Sequence, residues 1–385
     1  MPNLHFIRGP RAAVSFTVLL TIAVLVAACG DEGTATEGST VPSSGYAVET
    51  VVQGLRVPWD IAFAPDGRMF VTERPGRIRV VQDGALAEDP FAELDVWAQS
   101  EAGLMGIALH PDFADNGHLY VCYTYIDDQR GPTNRIARLT DANGAGTDHT
   151  VVFDGIPGAR NHNGCRIRFG PDAKLYVTMG DAQSADTAQD PASPSGKVLR
   201  LNADGSIPDD NPIAGNPLFT LGHRNPQGID WHPDTAEPFI TEHGASDNDE
   251  INLLVAGANY GWPEVRGESD NTAFEEPLTT YTPTVALAGA AFYTGGPLPL
   301  HWTNSFFFTT LKEQHIRRLT FAESLDGRWA VVGDEKLLED EFGRLRAIAQ
   351  GPDGYLYFTT SNRDGRGSPA RFDDKVLRIV PARED

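Results

Sequence analysis

From residue 47 onward, apolar and polar positions alternate in short runs separated by turn residues, and no segment between the repeated runs holds a sustained helical period. The run Pro58-Trp59-Asp60-Ile61-Ala62-Phe63-Ala64-Pro65-Asp66-Gly67-Arg68-Met69-Phe70-Val71-Thr72-Glu73 sets the grammar: an apolar strand, a Pro-Asp turn, an aromatic-rich strand. The same grammar returns over residues 103–125 around Pro111-Asp112, 166–180 around Pro171-Asp172, 228–242 around Pro233-Asp234, and 345–360 around Pro352-Asp353. A looser copy over 290–310 turns at Gly295-Gly296-Pro297 and carries Phe306-Phe307-Phe308 in its second strand. The copies recur about every 45 to 65 residues, the period of four-stranded propeller blades with their loops.

One such blade cannot bury both of its faces, so the copies must stack in a ring. The expectation is an all-β six-bladed β-propeller of four-stranded antiparallel blades over residues 47–385. Its last strand, near Lys375 to Val380, is expected to pair with early chain near Ala47 to Val52, which closes the ring and removes an exposed edge.

The N-terminus changes the picture of where this domain works. Arg8 and Arg11 precede an apolar run that ends Val26-Ala27-Ala28-Cys29, which reads as a secretory signal over residues 1–28 and resembles the bacterial lipobox, with Cys29 as the lipidated first mature residue. An uncleaved N-terminal anchor helix is the alternative. Residues 29–46 are rich in Gly, Ser, Thr and acid and read as a flexible tether. The domain is therefore expected to be exported and lipid-anchored to the bacterial cell envelope, on its periplasmic or outer face.

Composition narrows the partners. With 385 residues and a formal charge of -22, the chain lacks the basic footprint that nucleic acid or an anionic membrane face requires. After Cys29 only Cys122 and Cys165 remain. In an exported protein they could form one disulfide, but Cys122 lies inside the apolar strand Leu119-Tyr120-Val121-Cys122-Tyr123 and reads as a buried free thiol.

In a propeller, the loops that enter the innermost strands converge at one mouth of the central channel. Those entries carry Glu101, Asn161-His162, His223-Arg224-Asn225 and Arg344-Leu345-Arg346, with Lys312 just after the Phe-rich strand. His162 offers an imidazole suited to taking a proton near neutral pH. Arg224, Lys312, Arg344 and Arg346 gather in an otherwise acidic chain, which implies a small polyanionic ligand. The oxygen-rich stretch from Thr241 to Glu250, closing on Asn259-Tyr260-Gly261-Trp262, suits a hard cation such as calcium, although its spacing is not that of an EF-hand.

Three pieces carry a family resemblance: Gly103-Leu104-Met105-Gly106-Ile107-Ala108-Leu109-His110-Pro111-Asp112-Phe113, Leu221-Gly222-His223-Arg224-Asn225-Pro226-Gln227-Gly228, and Asp249-Glu250-Ile251-Asn252 with Asn259-Tyr260-Gly261-Trp262-Pro263. They resemble the soluble PQQ-dependent sugar dehydrogenases of the glucose/sorbosone dehydrogenase family, six-bladed propellers that hold pyrroloquinoline quinone (PQQ) over the channel mouth. The resemblance implies oxidation of an aldose at its anomeric carbon to the lactone, with electrons passed on to an external acceptor such as a cytochrome or quinone. It makes His162 the general base for the anomeric hydroxyl while hydride passes to the quinone. Arg224 and Asn225 become the pair at the quinone oxygens, and Lys312, Arg344 and Arg346 the groups that hold the cofactor carboxylates.

Gly244 and Ala245 match carbonyls on a calcium that bridges the cofactor, and Glu250 and Tyr260 match a second, structural calcium site. Two positions depart from the pattern. Asn161 stands where some members have an Asp beside the base, so no carboxylate supports His162 from there, and Glu101 stands where the best-known members have a Gln. Two other readings remain open: a non-catalytic propeller that binds glycans or proteins, and a calcium-dependent lactonase. The choice of sugar is expected to rest on rim loops such as 125–134 and 184–195.

Overall fold

A computed structural model describes residues 45–324 and 327–382; the signal segment and nearly all of the tether lie outside the described residues. The predicted repeats each become the two inner strands of one sheet, and six sheets result. The innermost strands, Pro58–Phe63, Leu104–Leu109, Ile167–Phe169, Pro226–Trp231, Leu287–Phe292 and Leu345–Gln350, neighbour one another in that order and return from the last to the first. This is the expected propeller. Five blades are consecutive in the chain, and the sixth takes Tyr46–Gln53 as its outer strand, paired antiparallel with Lys375–Pro381 from Tyr46↔Pro381 to Gln53↔Lys375.

Apolar layers lie between blades rather than at one centre. Leu175, Val177, Leu199 and Leu201 of the third blade pack against Ala108, Tyr120 and Ile136 of the second, all buried. Such interdigitated layers are the main stabilising term for a ring of sheets.

A further set of contacts ties each second strand to the next blade. Thr72 donates its hydroxyl hydrogen bond to the Met105 carbonyl, Thr178 to Pro226, Thr241 to Ala288, Thr309 to Arg346 and Thr359 to Pro58. Each Thr is the fourth residue of its strand motif, as in Leu175-Tyr176-Val177-Thr178. The second blade has Cys122 in that column, and Cys122 is bonded to Cys165 at the entry to the third blade. The free-thiol reading of Cys122 is thus corrected: the second blade is joined to the third covalently, where the other five junctions use a hydroxyl. Residues 125–134, read from sequence as a rim loop, are a regular hairpin joining His118–Asp127 to Gly131–Ala142. The short polar turn between them hides the pairing.

The far end of the channel, at the Pro-Asp turns, carries a half-buried carboxyl. Asp230 accepts the Phe292 N–H, and burial pushes its pKa up to about 6. Between pH 4 and 6, roughly, the folded protein keeps a proton that the unfolded chain has released, so stability falls as pH rises through that window. Allowing for partial exposure, the loss is about 1–2 kcal/mol. Thermal unfolding at either end of the window is expected to show it, and Asp230→Asn to flatten it; an identical pH profile in the variant would exclude Asp230 as the cause.

Candidate functional site

Each blade enters its first strand and leaves its second strand at the same end of the ring, because the Pro-Asp turn between them lies at the other end. Glu101, His162, Asn225 and Arg344 are entry residues; Asp181, His243 and Lys312 follow second strands. His162 sits in a loop held in the left-handed region at φ 62, as are Gly164 and Cys165 at φ 61 and 68. Such a backbone persists only where its surroundings over-determine it. Here the Cys122 disulfide holds one end, and glycines press from both sides: a Cβ at Gly180 would collide with the His162 carbonyl, and one at Gly106 with the Cys165 carbonyl.

The imidazole is fixed at both nitrogens. His162 Nδ1 donates to Asp181 Oδ1 at 2.8 Å, and Arg224 Nη2 donates to Nε2 at 3.0 Å. A carboxylate on Nδ1 selects the tautomer whose lone pair is on Nε2. Asp181 is itself oriented, since its Oδ2 accepts Trp262 Nε1–H at 2.9 Å and its backbone N–H donates to the Arg224 carbonyl. The carboxylate that Asn161 cannot supply therefore comes from Asp181, nineteen residues on from His162. Reading only the entries to the first strands missed it; the signal was Met179-Gly180-Asp181, the exit from the third blade's second strand.

Arg224 lies over the Trp262 ring at 5.3 Å and donates Nη1 to the carbonyls of His243 and Gly244. Its Nε is buried without a partner among the described residues. Burial lowers its pKa, against the pull of Asp181 and Glu242. Asn225 is fully buried; its Oδ1 accepts the Gly164 N–H, while its Nδ2 has no partner among the described residues. Burial likewise brings Arg346 down to about 9; its Nη1 donates to Gln227 Oε1, and its guanidinium lies 5.6 Å over Trp59.

Other predicted residues are placed less simply. The Glu101 carboxylate accepts the His162 N–H and pairs with Arg366 at 2.9 Å. Burial opposes its charge, but His243, the His162 N–H and Arg366 together hold its pKa below the ordinary value. Asn161 Oδ1 accepts from Ser100 Oγ–H. Lys312 is exposed, with Nζ 3.3 Å from Thr284 Oγ1. The Arg344 guanidinium is spent largely on Asp364 and the Leu311 carbonyl.

The mouth thus offers buried or half-buried N–H groups in excess of acceptors. Unpartnered Arg224 Nε and Asn225 Nδ2, beside Arg346, fit a guest that brings oxygen acceptors and negative charge, as PQQ does.

Beside it, Glu242, Gly244, Ala245, Asp247, Glu250 and Tyr260 line a small cavity, with Arg224 and Arg266 also at its wall. Asp247 Oδ1 is buried without a partner among the described residues, and burial with neighbouring Glu242 pushes the Glu250 pKa up. An oxygen-rich, acid-crowded cavity fits a calcium ion. The Tyr260 hydroxyl is committed to Leu253 and Val255, so its backbone is what remains for an ion, and the Gly244 carbonyl is shared with Arg224.

Comparison with known proteins agrees with this geometry. The family model described as Glucose / Sorbosone dehydrogenase matches residues 55–372. Aldose sugar dehydrogenase YliI of Escherichia coli (strain K12) is 33% identical over 343 residues, covering 83% of this chain and 91% of that protein. Quinoprotein glucose dehydrogenase B of Acinetobacter calcoaceticus is 34% identical over 265 residues, 60% of this chain and 55% of that protein. The PQQ-bound aldose sugar dehydrogenase of Streptomyces coelicolor superposes with a TM-score of 0.78 at 33% identity, covering 88% of this chain and 99% of that one.

Proposed function

The chain belongs to the glucose/sorbosone dehydrogenase family, and from that premise we propose that it oxidises an aldose at the anomeric carbon to the lactone, using PQQ and passing electrons to an external acceptor. The observation that carries this reading is the Asp181–His162–Arg224 chain at the channel mouth, beside donors that lack acceptors. His162 Nε2 is the base: it takes the proton of the anomeric hydroxyl, and Asp181 stabilises the imidazolium that forms. PQQ, when bound, supplies the two-electron acceptor for the hydride that leaves the anomeric carbon.

Arg224 withdraws from Nε2 to make room for the sugar hydroxyl and presents its cation to the charge that develops opposite the base. Asn225 Nδ2 donates to the same region, and Arg346 with Lys312 holds carboxylates. Arg344 offers neither a free fork nor unbalanced charge, because Asp364 already occupies it. The carbonyls of Gly244 and Ala245, and at a second position Glu250 and the Tyr260 backbone, hold calcium, which supplies positive charge beside Arg224. The direct test is dye reduction by the purified protein with a panel of aldoses, with and without PQQ and calcium. No PQQ-dependent reduction with any aldose would overturn the reading.

Export and lipid anchoring complete the proposal. A buried Cys122–Cys165 disulfide supports an oxidising compartment. Cys29→Ser is expected to move the protein from the membrane fraction to the soluble fraction of the envelope. Retention in the membrane would point instead to an uncleaved N-terminal anchor.

A further inference from the structure

Between the first and second blades a cleft of about 680 Å³, lined by Asp95, Trp97, Tyr123, Tyr125, Arg135 and His149 among others, plays no part in the chemistry above. Its volume is in the range of small-molecule sites. It opens on the His162 side of the ring, because Tyr123 and Tyr125 lie in the second half of His118–Asp127, which runs from the far-end turn toward the mouth. Two connections join it to the site. The Trp97 N–H donates to the Thr124 carbonyl, and four residues on, Glu101 accepts the His162 N–H; that stretch of chain spans at most about 14 Å. Asn134 Nδ2 donates both to the Pro157 carbonyl and to Asn163 Oδ1, next to His162.

The chemistry of the cleft is selective. Among the described residues, the half-buried Trp97, which lines the cleft, has neither a hydrogen-bond partner for Nε1 nor a ring stacked on it, so its donor is open to a guest. Arg135, Asp154 and Tyr125 form a preassembled unit: the guanidinium lies 3.6 Å over the Tyr125 ring and donates to Asp154 at 2.5 Å, and Tyr125 Oη–H donates to Asp154 at 3.0 Å. Beside it, Tyr123, whose ring centroid is 6.4 Å from that of Tyr125, has its Oη 3.0 Å from His149 Nε2.

Asp154 neutralises Arg135, and exposed Glu93 and Asp95 flank the opening, so an anionic guest is disfavoured. A guest with an apolar face for the indole and for Leu94, Val96 and Ile126, and with hydroxyl groups around its edge for carboxylates, imidazole and guanidinium, suits this mixed lining. That is a neutral saccharide.

We propose that this cleft is an accessory saccharide subsite. It holds the units of a reducing oligosaccharide that lie beyond the sugar ring facing His162, so the favoured substrates are short oligosaccharides. The inference rests on the aldose dehydrogenase reading, and its test is kept separable by using glycosides that cannot be oxidised.

Calorimetric titration of the cofactor-free protein with methyl glucoside, methyl maltotrioside and methyl cellotrioside is expected to show at least one trisaccharide binding about tenfold or more tightly than the monosaccharide. Trp97→Ala should cost that trisaccharide about tenfold, and the rim variant Asp95→Ala severalfold, with methyl glucoside binding and glucose oxidation unchanged. Thermal unfolding checks that both variants are folded, and Asp95→Ala keeps the test alive if Trp97→Ala is not. Equal binding of mono- and trisaccharides, or trisaccharide binding indifferent to both variants, would overturn the subsite even if glucose is oxidised. Trisaccharide binding without oxidation of any aldose would instead uphold the subsite and remove the dehydrogenase.

Discussion

Replacing His162 by alanine is expected to lower turnover about 10²- to 10⁴-fold while leaving PQQ uptake within a few-fold of the parent protein. The magnitude is what a positioned general base contributes. Uptake survives because the donors assigned to the cofactor, Asn225 and Arg346, are fixed by their own partners, Gly164 and Gln227, and not by the imidazole. Asp181→Asn tests the same point with the ring in place. The amide has no charge to stabilise the imidazolium and one acceptor oxygen where His162 Nδ1–H and Trp262 Nε1–H now use two, so kcat should fall about 100-fold with little change in KM. If both variants turned over sugar at the parent rate, the base would lie elsewhere and the Asp181–His162–Arg224 chain would be merely structural.

Removing the Cys122–Cys165 bond should be the most destabilising change outside the site. It closes a loop with a sequence separation of 43, for which chain entropy gives about 4 kcal/mol. For a domain of this size that lowers the unfolding temperature by roughly 5–10 °C.

The pairing of Cys122 with the Thr column of the other blades makes the expectation sharper. Cys122→Thr with Cys165→Ala restores a hydroxyl at the one junction that lacks it, so it should recover about 1 kcal/mol relative to Cys122→Ala with Cys165→Ala. Equal stability of the two double variants would mean that position 122 does not do for the second blade what Thr178 does for the third. The bond also ends the left-handed loop that carries His162, so turnover in the double variants should fall further than their folded fraction accounts for.

Much of this was legible in the chain because the propeller writes itself locally. The Pro-Asp turn and its two flanking strands recur within each copy, and the closing pair of Tyr46–Gln53 with Lys375–Pro381 followed from the need to remove an edge. Entry residues such as Glu101, His162 and Asn225 were legible for the same reason: the strand after them is unmistakable. Asp181 was not, because it leaves a strand, and its importance comes from a tautomer choice that only three-dimensional proximity reveals. Arg344 shows the converse: its charge is visible in the sequence, but the pairing that spends it, with Asp364, is not.

The disulfide was hidden by the apolar strand around Cys122, where a thiol and half a cystine look alike. Only laying the six strand motifs over one another shows that a Thr belongs in that place. The hairpin near Tyr125 was hidden by its polar turn, and with it the cleft beside Trp97.

The most direct test of the central claim is a titration of the purified protein with PQQ in the presence of calcium, following the cofactor's absorbance before and after a mixed set of aldoses is added. Stoichiometric uptake followed by sugar-dependent bleaching, with uptake retained and bleaching lost in His162→Ala, is the expected result. Absence of uptake would contradict the account, because the unpartnered donors of Arg224 and Asn225 and the Arg346 cation would then serve some other guest.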